Sequence, residues 1–223
     1  MIIGFLGDIH GRFEDLKKIL KVHPHVHYWV QVGDLGGEEL QYPELPSNFW
    51  FVQGNHENWE SLIDKSHPIQ RNYLKNGRTL ALSRDENTIF VSSFGGNYSP
   101  KFWDSKRKDL PLQRNRHFLQ EEYDCLLEQQ LGQDILVTHE APSPYTFRGR
   151  DLGQPIISDL IENIVPRLHV FGHHHHYTVK RLTYEHSEVL SVGLPYGTQG
   201  FITYDTASGI VSPKMFERND SNG

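Results

Sequence analysis

Cysteine is almost missing from this sequence: Cys125 is the one cysteine among 223 residues. A single thiol makes no internal disulfide, which fits a reducing compartment. Long apolar runs are missing as well. The longest, such as Ile2 to Leu6, are far too short to span a bilayer. The N-terminus reads MIIGFLGDIHG, with no basic stretch and no small-residue cleavage site, so no secretory leader is expected and a cytoplasmic location is. Positive charge is in deficit. The formal net charge of -6 argues against a protein that coats nucleic acid non-specifically, although it leaves room for a local basic groove. Repeats and low-complexity linkers are absent too, apart from one run of four histidines, His173 to His176.

What is present is ordinary for a globular chain: 37% hydrophobic and 22% charged residues. The length suits one domain, taken as 1–216, followed by a polar tail at 217–223 that is expected to fray. The apolar pattern of the first half alternates strand and helix. Strands are predicted at 2–6, 27–32 and 48–52, and helices at 13–20 and 59–63. Further strands fall near 79–82 and 88–92, followed by a polar and aromatic stretch at 95–111. A helix is predicted at 115–131, a strand at 134–137, a helix at 156–164 and a strand at 168–171. Beyond Tyr177 the pattern is all strand, near 178–183, 188–192, 200–204 and 210–214. Such alternation implies a largely parallel sheet, with the late strands forming a second, mixed or antiparallel one. The expected class is α/β, with two facing sheets flanked by helices.

Five polar motifs directly follow predicted strands: GDIHG (7–11), GDLGG (33–37), GNHE (54–57), THE (138–140) and GHHHH (172–176). In α/β sheets, ligand sites gather beyond the carboxyl ends of the strands, so the fold would bring these loops together. Each has a plainer reading alone. Asp8 and Asp34 could cap helices, Asn55 could sit in a turn, and His139 could be a half-buried core histidine. Five strand-end loops that all carry carboxylate, imidazole or amide oxygen favour a joint role. Most begin with glycine, which lets backbone approach a ligand closely. The donors include no thiolate, and such mixed oxygen and nitrogen sets suit manganese, iron or zinc. They are too many for one tetrahedral ion. Two metals about 3.5–4 Å apart would use them all, and such pairs bind phosphate oxygens and generate hydroxide at neutral pH.

In kind and in order, these motifs resemble those of the calcineurin-like metallophosphoesterases. The resemblance spans Gly7 to His175. It implies a β-sandwich with helices on both outer faces, and a dinuclear, phosphate-ester-hydrolysing site. It implies Asp8, His10 and His175 on one metal, Asn55, His139 and His173 on the other, and Asp34 bridging both. His56 would contact the substrate phosphate and protonate the leaving oxygen. The second motif departs from the family's GDxxD pattern. Gly37 stands where an aspartate would orient His56, so either Glu57 substitutes for it or His56 acts mainly as a phosphate contact. The same glycine moves the chain away from the serine/threonine phosphatase pattern. The segment SFGGNYSPKFWDSKRKDLPLQRNRHF faintly resembles the insert of the RNA lariat debranching branch, although that branch usually has cysteine where this chain has Asp8. Phosphodiesters, nucleic acid among them, are therefore the expected substrates. Phosphomonoesters or phosphoproteins are the alternative, and a binding scaffold that has lost its chemistry is a third reading.

Outside the motifs, Arg12 opens a helix beside GDIHG and could bind phosphate, while Asn97 could line the mouth of the site. Between 101 and 116, Lys101, Lys106, Arg107, Lys108, Arg114 and Arg116 are interleaved with Phe102 and Trp103. That composition can hold a single strand, but a solvated loop is the simpler account, with Asp104 and Asp109 cancelling part of the charge. His23, His25 and His27 lie at the opposite end of a strand from the motifs and are read as surface. Within the histidine run, an extended backbone would send His173 and His175 to one side and His174 and His176 to the other. The first and third are assigned to metals, and the other two should be replaceable at little cost.

Overall fold

The computed structural model describes residues 1–129, 132–185 and 187–216. The end of the predicted 115–131 helix and the whole polar tail lie outside the described residues. The first half follows the expected order: β1 (Ile2–Leu6), α1 (Phe13–Val22), β2 (Tyr28–Gln31), β3 (Phe49–Phe51) and α2 (Trp59–Ile63). Next come β4 (Arg78–Arg84), β5 (Asn87–Phe94), α3 (Gln120–Leu127) and β6 (Ile135–Thr138). A small hairpin of β7 (Thr146–Phe147) and β8 (Arg150–Asp151) precedes α4 (Pro155–Ile164) and β9 (Leu168–Phe171). The chain closes with β10 (Thr178–Tyr184), β11 (Ser187–Gly193), β12 (Gly200–Asp205) and β13 (Ile210–Met215).

Two main sheets form. The first has the order β13-β12-β1-β2-β3 and the second β10-β11-β9-β6-β5-β4. The late strands do not make a sheet of their own, contrary to the sequence reading. The β10–β11 hairpin joins β9 in parallel through β11, whereas β12 crosses back to pair antiparallel with β1. Both sheets are therefore mixed: the second is parallel at its centre, and the first is parallel from β1 to its β3 edge. Period-two patterning tells which residues share a face, but it carries nothing about which sheet a strand will join.

The parallel strands β1, β2, β6 and β9 are buried on both faces, so they read as continuous apolar runs. Ile3 and Phe5 of β1 face Val91, Val137 and Val170 of the other sheet in the inner core. Leu6 turns outward to a second cluster with Leu16 and Ile19 of α1 and Trp59 and Leu62 of α2. On the far side, Leu136 and Phe94 pack under Tyr123 and Leu126 of α3 and Ile157, Leu160 and Ile161 of α4. The result is helix, sheet, sheet, helix. Burying each of these large side chains stabilises by roughly 1.5–3 kcal/mol.

One helix is shorter than predicted. Residues 112–116 form a 3-10 turn, His117 to Leu119 are extended, and α3 starts only at Gln120. Phe118 and Leu119 had matched the helical spacing, yet Phe118 packs tilted against Phe94 with ring centroids 4.5 Å apart. Tertiary packing of that ring outweighs the local period.

Candidate metal centre

The strands β1, β2 and β3 end side by side in one sheet, and β6 and β9 do so in the other. The five motifs meet across that seam and are tied by their own backbones. Asp34 O accepts from Ile9 N and His10 N at 3.0 and 2.9 Å, joining the first motif to the second. His56 N donates to Asp34 Oδ1 at 2.7 Å, joining the third. Gly172 N donates to His139 O at 3.1 Å, and His173 N reaches across to Asp8 Oδ1 at 3.1 Å.

Four of the assigned residues have left-handed backbones: His10 (φ 47°), Asp34 (φ 58°), His173 (φ 65°) and His175 (φ 56°). Such φ values are unfavourable for non-glycine residues and cluster at functional sites. They also correct the account of the histidine run, whose backbone is not extended. His173 and His175 enter the site because left-handed turns fold the chain there. Of the four histidines, His173 and His175 fall in candidate ligand groups among the described residues. His174 stacks on Tyr145 at 4.4 Å, with its edge against His173 at 5.0 Å, and His176 stacks on Phe147 at 4.9 Å; neither belongs to the two candidate ligand groups among the described residues.

Two groups of converging ligand atoms result: Asp8, His10 and His175, and Asp34, His139 and His173. In the first, His175 Nε2 lies 2.8 Å and His10 Nε2 3.7 Å from Asp8 Oδ2. In the second, His139 Nε2 lies 3.5 Å from Asp34 Oδ2 and 3.1 Å from Asn55 Oδ1. The His139 Nδ1–H donates to Val32 O at 2.9 Å, which turns Nε2 toward those two oxygens. A nitrogen and two acceptor oxygens thus face one point, an arrangement that a cation satisfies. In the metal-free chain a proton serves. Burial pushes His139 down, but the Asp34 charge and hydrogen bond outweigh it and carry its pKa up to about 10. Burial pushes Asp34 upward, yet the His139 charge and hydrogen bonds hold it well below the usual carboxylate range. His173 is pushed down to about 4, first by burial and then by the His139 charge, so it stays neutral. Burial likewise lowers His10, against the pull of Asp34 and Asp8. Neutral imidazoles and ionised carboxylates are the forms that bind metals.

Two glycines make room for these carboxylates. A Cβ on Gly54 would sit 2.0 Å from Asp34 Oδ1, and one on Gly172 would sit 2.5 Å from Asp8 Oδ1. No side chain fits at either position.

Glu57 does not stand in for the aspartate missing at Gly37. It is fully buried and accepts from Leu35 N, Gly36 N and Gly54 N at 3.1, 3.1 and 3.2 Å, and from the Tyr42 hydroxyl at 2.6 Å. It clamps the second motif to the third. Burial and the nearby Asp34 charge push it up to about 7. Leu40 fills the space beside Gly37, with Cδ1 3.3 Å from where a Cβ would stand. The exposed His56 ring has its centroid 5.8 Å from that of His10, and no hydrogen bond to it is seen among the described residues.

Arg12 is exposed, and its Nη1 donates to Thr198 Oγ1 at 3.4 Å. It lines a groove of roughly 840 Å³ together with His175, Tyr177 and Tyr196. Asn97 forms a bridge with His117, and its Oδ1 is buried without a partner among the described residues. The glycine before it, Gly96, adjoins the amide of Gln53. Sequence reasoning missed Tyr196, which stacks on His175 with centroids 3.8 Å apart. Its loop, GLPYG, follows β11 and donates Gly197 N to Asp8 O at 2.9 Å, so the strand-end rule applied once more would have found it. His23 and His25 face each other near Phe201, and neither they nor His27 join a metal-binding group among the described residues.

A two-sheet sandwich with paired carboxylate and imidazole groups at its strand ends defines a class, the metal-dependent phosphoric ester hydrolases. The chain belongs to the calcineurin-like phosphoesterase family, whose profile matches residues 1–177. No curated protein matches the sequence significantly. Among solved structures, the fold is similar to that of TT1561 of Thermus thermophilus, with TM-score 0.64 and 14% identity over 96% of this chain and 98% of that one. A novel archaeal phosphodiesterase aligns with TM-score 0.52 and 11% identity over 97% and 100% of the two chains. GAP50, the anchor in the inner membrane complex of Plasmodium, aligns with TM-score 0.54 and 11% identity over 100% and 86%. The fold therefore serves an anchor as well as an esterase, and the chemistry must be read from the site. No helix among the described residues is long and apolar enough to cross a membrane.

Proposed function

We propose that the protein hydrolyses phosphodiesters with a pair of divalent transition metal ions, manganese first and iron or zinc as alternatives. Asp34 carries this reading. Its Oδ2 lies 3.5 Å from His139 Nε2 in one group and 3.8 Å from His10 Nε2 in the other, the position of a shared ligand. Asp8, His10 and His175 would hold one ion, Asn55, His139 and His173 the other, and Asp34 both. When bound, such ions supply Lewis-acid polarisation of the phosphate and a hydroxide nucleophile.

The chain's own side chains do the remaining work. His56 projects beside His10, contacts the phosphate and gives a proton to the departing oxygen. Arg12, at the rim, offers its guanidinium fork to a phosphate oxygen. The groove beside His175 supports a diester, because a second substituent on phosphorus needs space that a monoester leaves unused. Leu40, not a carboxylate, occupies the space beside Gly37, a further departure from the protein phosphatase pattern. The free, exposed Cys125 fits a reducing cytoplasmic setting.

The test is a metal-reconstituted comparison of bis(4-nitrophenyl) phosphate with 4-nitrophenyl phosphate. The diester should show the higher kcat/KM, and Asp34→Asn should abolish both reactions. A clear preference for the monoester overturns the diester reading. Full activity in Asp34→Asn overturns the shared metal site.

A further inference from the structure

Two of the six cations in 101–116, Lys106 and Arg107, are held in ion pairs. Arg107 pairs with Glu122 at 2.6 Å and donates to the Asn115 and His117 carbonyls, each at 2.8 Å. Lys106 pairs with Glu121 at 3.3 Å. Trp103 and Phe118 pack in the core under α3. Arg107, Trp103 and Phe118 of that segment therefore serve packing.

A different basic surface is assembled by the tertiary structure. A concavity of about 610 Å³ opens between α2, the start of β4 and the turns at 107–115. Lys65, Lys75, Arg78 and Lys108 line it, all exposed, with no ion pair seen for them among the described residues. They come from three separate stretches of chain, with Lys75 and Arg78 on one of them. The acids that also line it, Glu121 and Glu122, are already paired with Lys106 and Arg107. Four unpaired positive charges thus surround one hollow in a chain of net charge -6. Ile63, 54% exposed, and the half-buried Tyr73 give it apolar surface. Trp59, only 3% exposed, also lines it, and its indole N–H is buried without an acceptor among the described residues. Gln53 and Trp59, which line the hollow, flank Asn55 and His56 in sequence.

Well-separated surface cations suit a string of phosphates. One isolated anion would engage only part of the set, and no buried fork for a single phosphate is present among the described residues. Apolar and aromatic surface between the charges accepts bases without regard to sequence. We infer that this hollow binds single-stranded nucleic acid, carrying the strand away from the phosphate to be cleaved. For turnover the inference rests on the diester reading; for binding it does not.

The test compares Lys75→Gln, Arg78→Gln and Lys108→Gln combined with a control of equal charge change, Arg84→Gln, Arg181→Gln and Lys214→Gln combined. Binding is read by the anisotropy of a dye-labelled phosphorothioate oligothymidylate of about twelve nucleotides on the metal-loaded protein. The first triple variant should weaken binding on the order of 10–100-fold near 0.1 M salt and lower the log–log salt slope by about 2. The control should do neither, and both variants should keep wild-type hydrolysis of bis(4-nitrophenyl) phosphate. Equal effects in the two triples, or none in either, overturn the inference. Loss of binding confined to the first triple, in a protein that cleaves no diester at all, would sink the diester reading and leave the binding site standing.

Discussion

Metal uptake at the second group should release a proton, and His139 should be its source. In the metal-free chain burial lowers this imidazole, but the Asp34 charge and hydrogen bond win and bring it to about 10. At pH 7 an ion must displace that proton across about three pH units, which weakens apparent affinity by ~4 kcal/mol. His173, held neutral near 4 by burial and the His139 charge, releases none. Calorimetric titration of manganese into chelated protein, repeated in buffers of different ionisation enthalpy, counts the protons. Wild type should release about one more than His139→Asn near pH 7, and its apparent affinity should rise about tenfold per pH unit. Equal release from both proteins refutes the assignment. The same shift has a stability consequence with a definite sign. A folded pKa raised from 6.5 to about 10 stabilises the metal-free protein fully below about pH 6.5, and that stability is lost as pH rises toward 10. The loss is at most roughly 5 kcal/mol, since Asp34 shares the interaction. Chemical denaturation of the chelated protein across that window should show it, and saturating metal should remove it.

Three further outcomes follow from the geometry. Gly54→Ala places a methyl 2.0 Å from Asp34 Oδ1, so it should lose about 1–3 kcal/mol in denaturant melts and most metal at the second group by atomic absorption. Glu57→Gln turns an amide toward backbone N–H donors and should cost about 2–3 kcal/mol, whereas Tyr42→Phe, which removes one hydroxyl at 2.6 Å, should cost about 1 kcal/mol. His174→Ala should lose roughly 1 kcal/mol of stacking on Tyr145 and keep full metal content, while His173→Ala loses one ion. Equal metal loss in the two would refute the division of the run.

Much of the site was legible in the sequence because strand ends are legible. Short apolar runs followed at once by glycine and a donor mark where a chain leaves a buried sheet. Ile2 to Leu6 before GDIHG and Leu168 to Phe171 before GHHHH were both placed without error. Where the reading failed, it failed on distant partners. The spacing of Phe118 and Leu119 suggested helix, and Phe94, from a separate strand, decided otherwise. Glu57 looked like a neighbour for His56 because the two adjoin in sequence, but its four donors come from loops brought together by the sheet.

Residue chemistry and local period are properties of the chain itself. They determined the donor types, the five loops and the rule that gathers them at one end. Sheet membership, the left-handed turns of His10, Asp34, His173 and His175, and the pairing of charges depend on contacts between segments far apart in sequence. For that reason only the tertiary structure could set Asp34 between two groups, pair Arg107 with Glu122, and leave Lys65, Lys75, Arg78 and Lys108 with no ion pair among the described residues around one hollow.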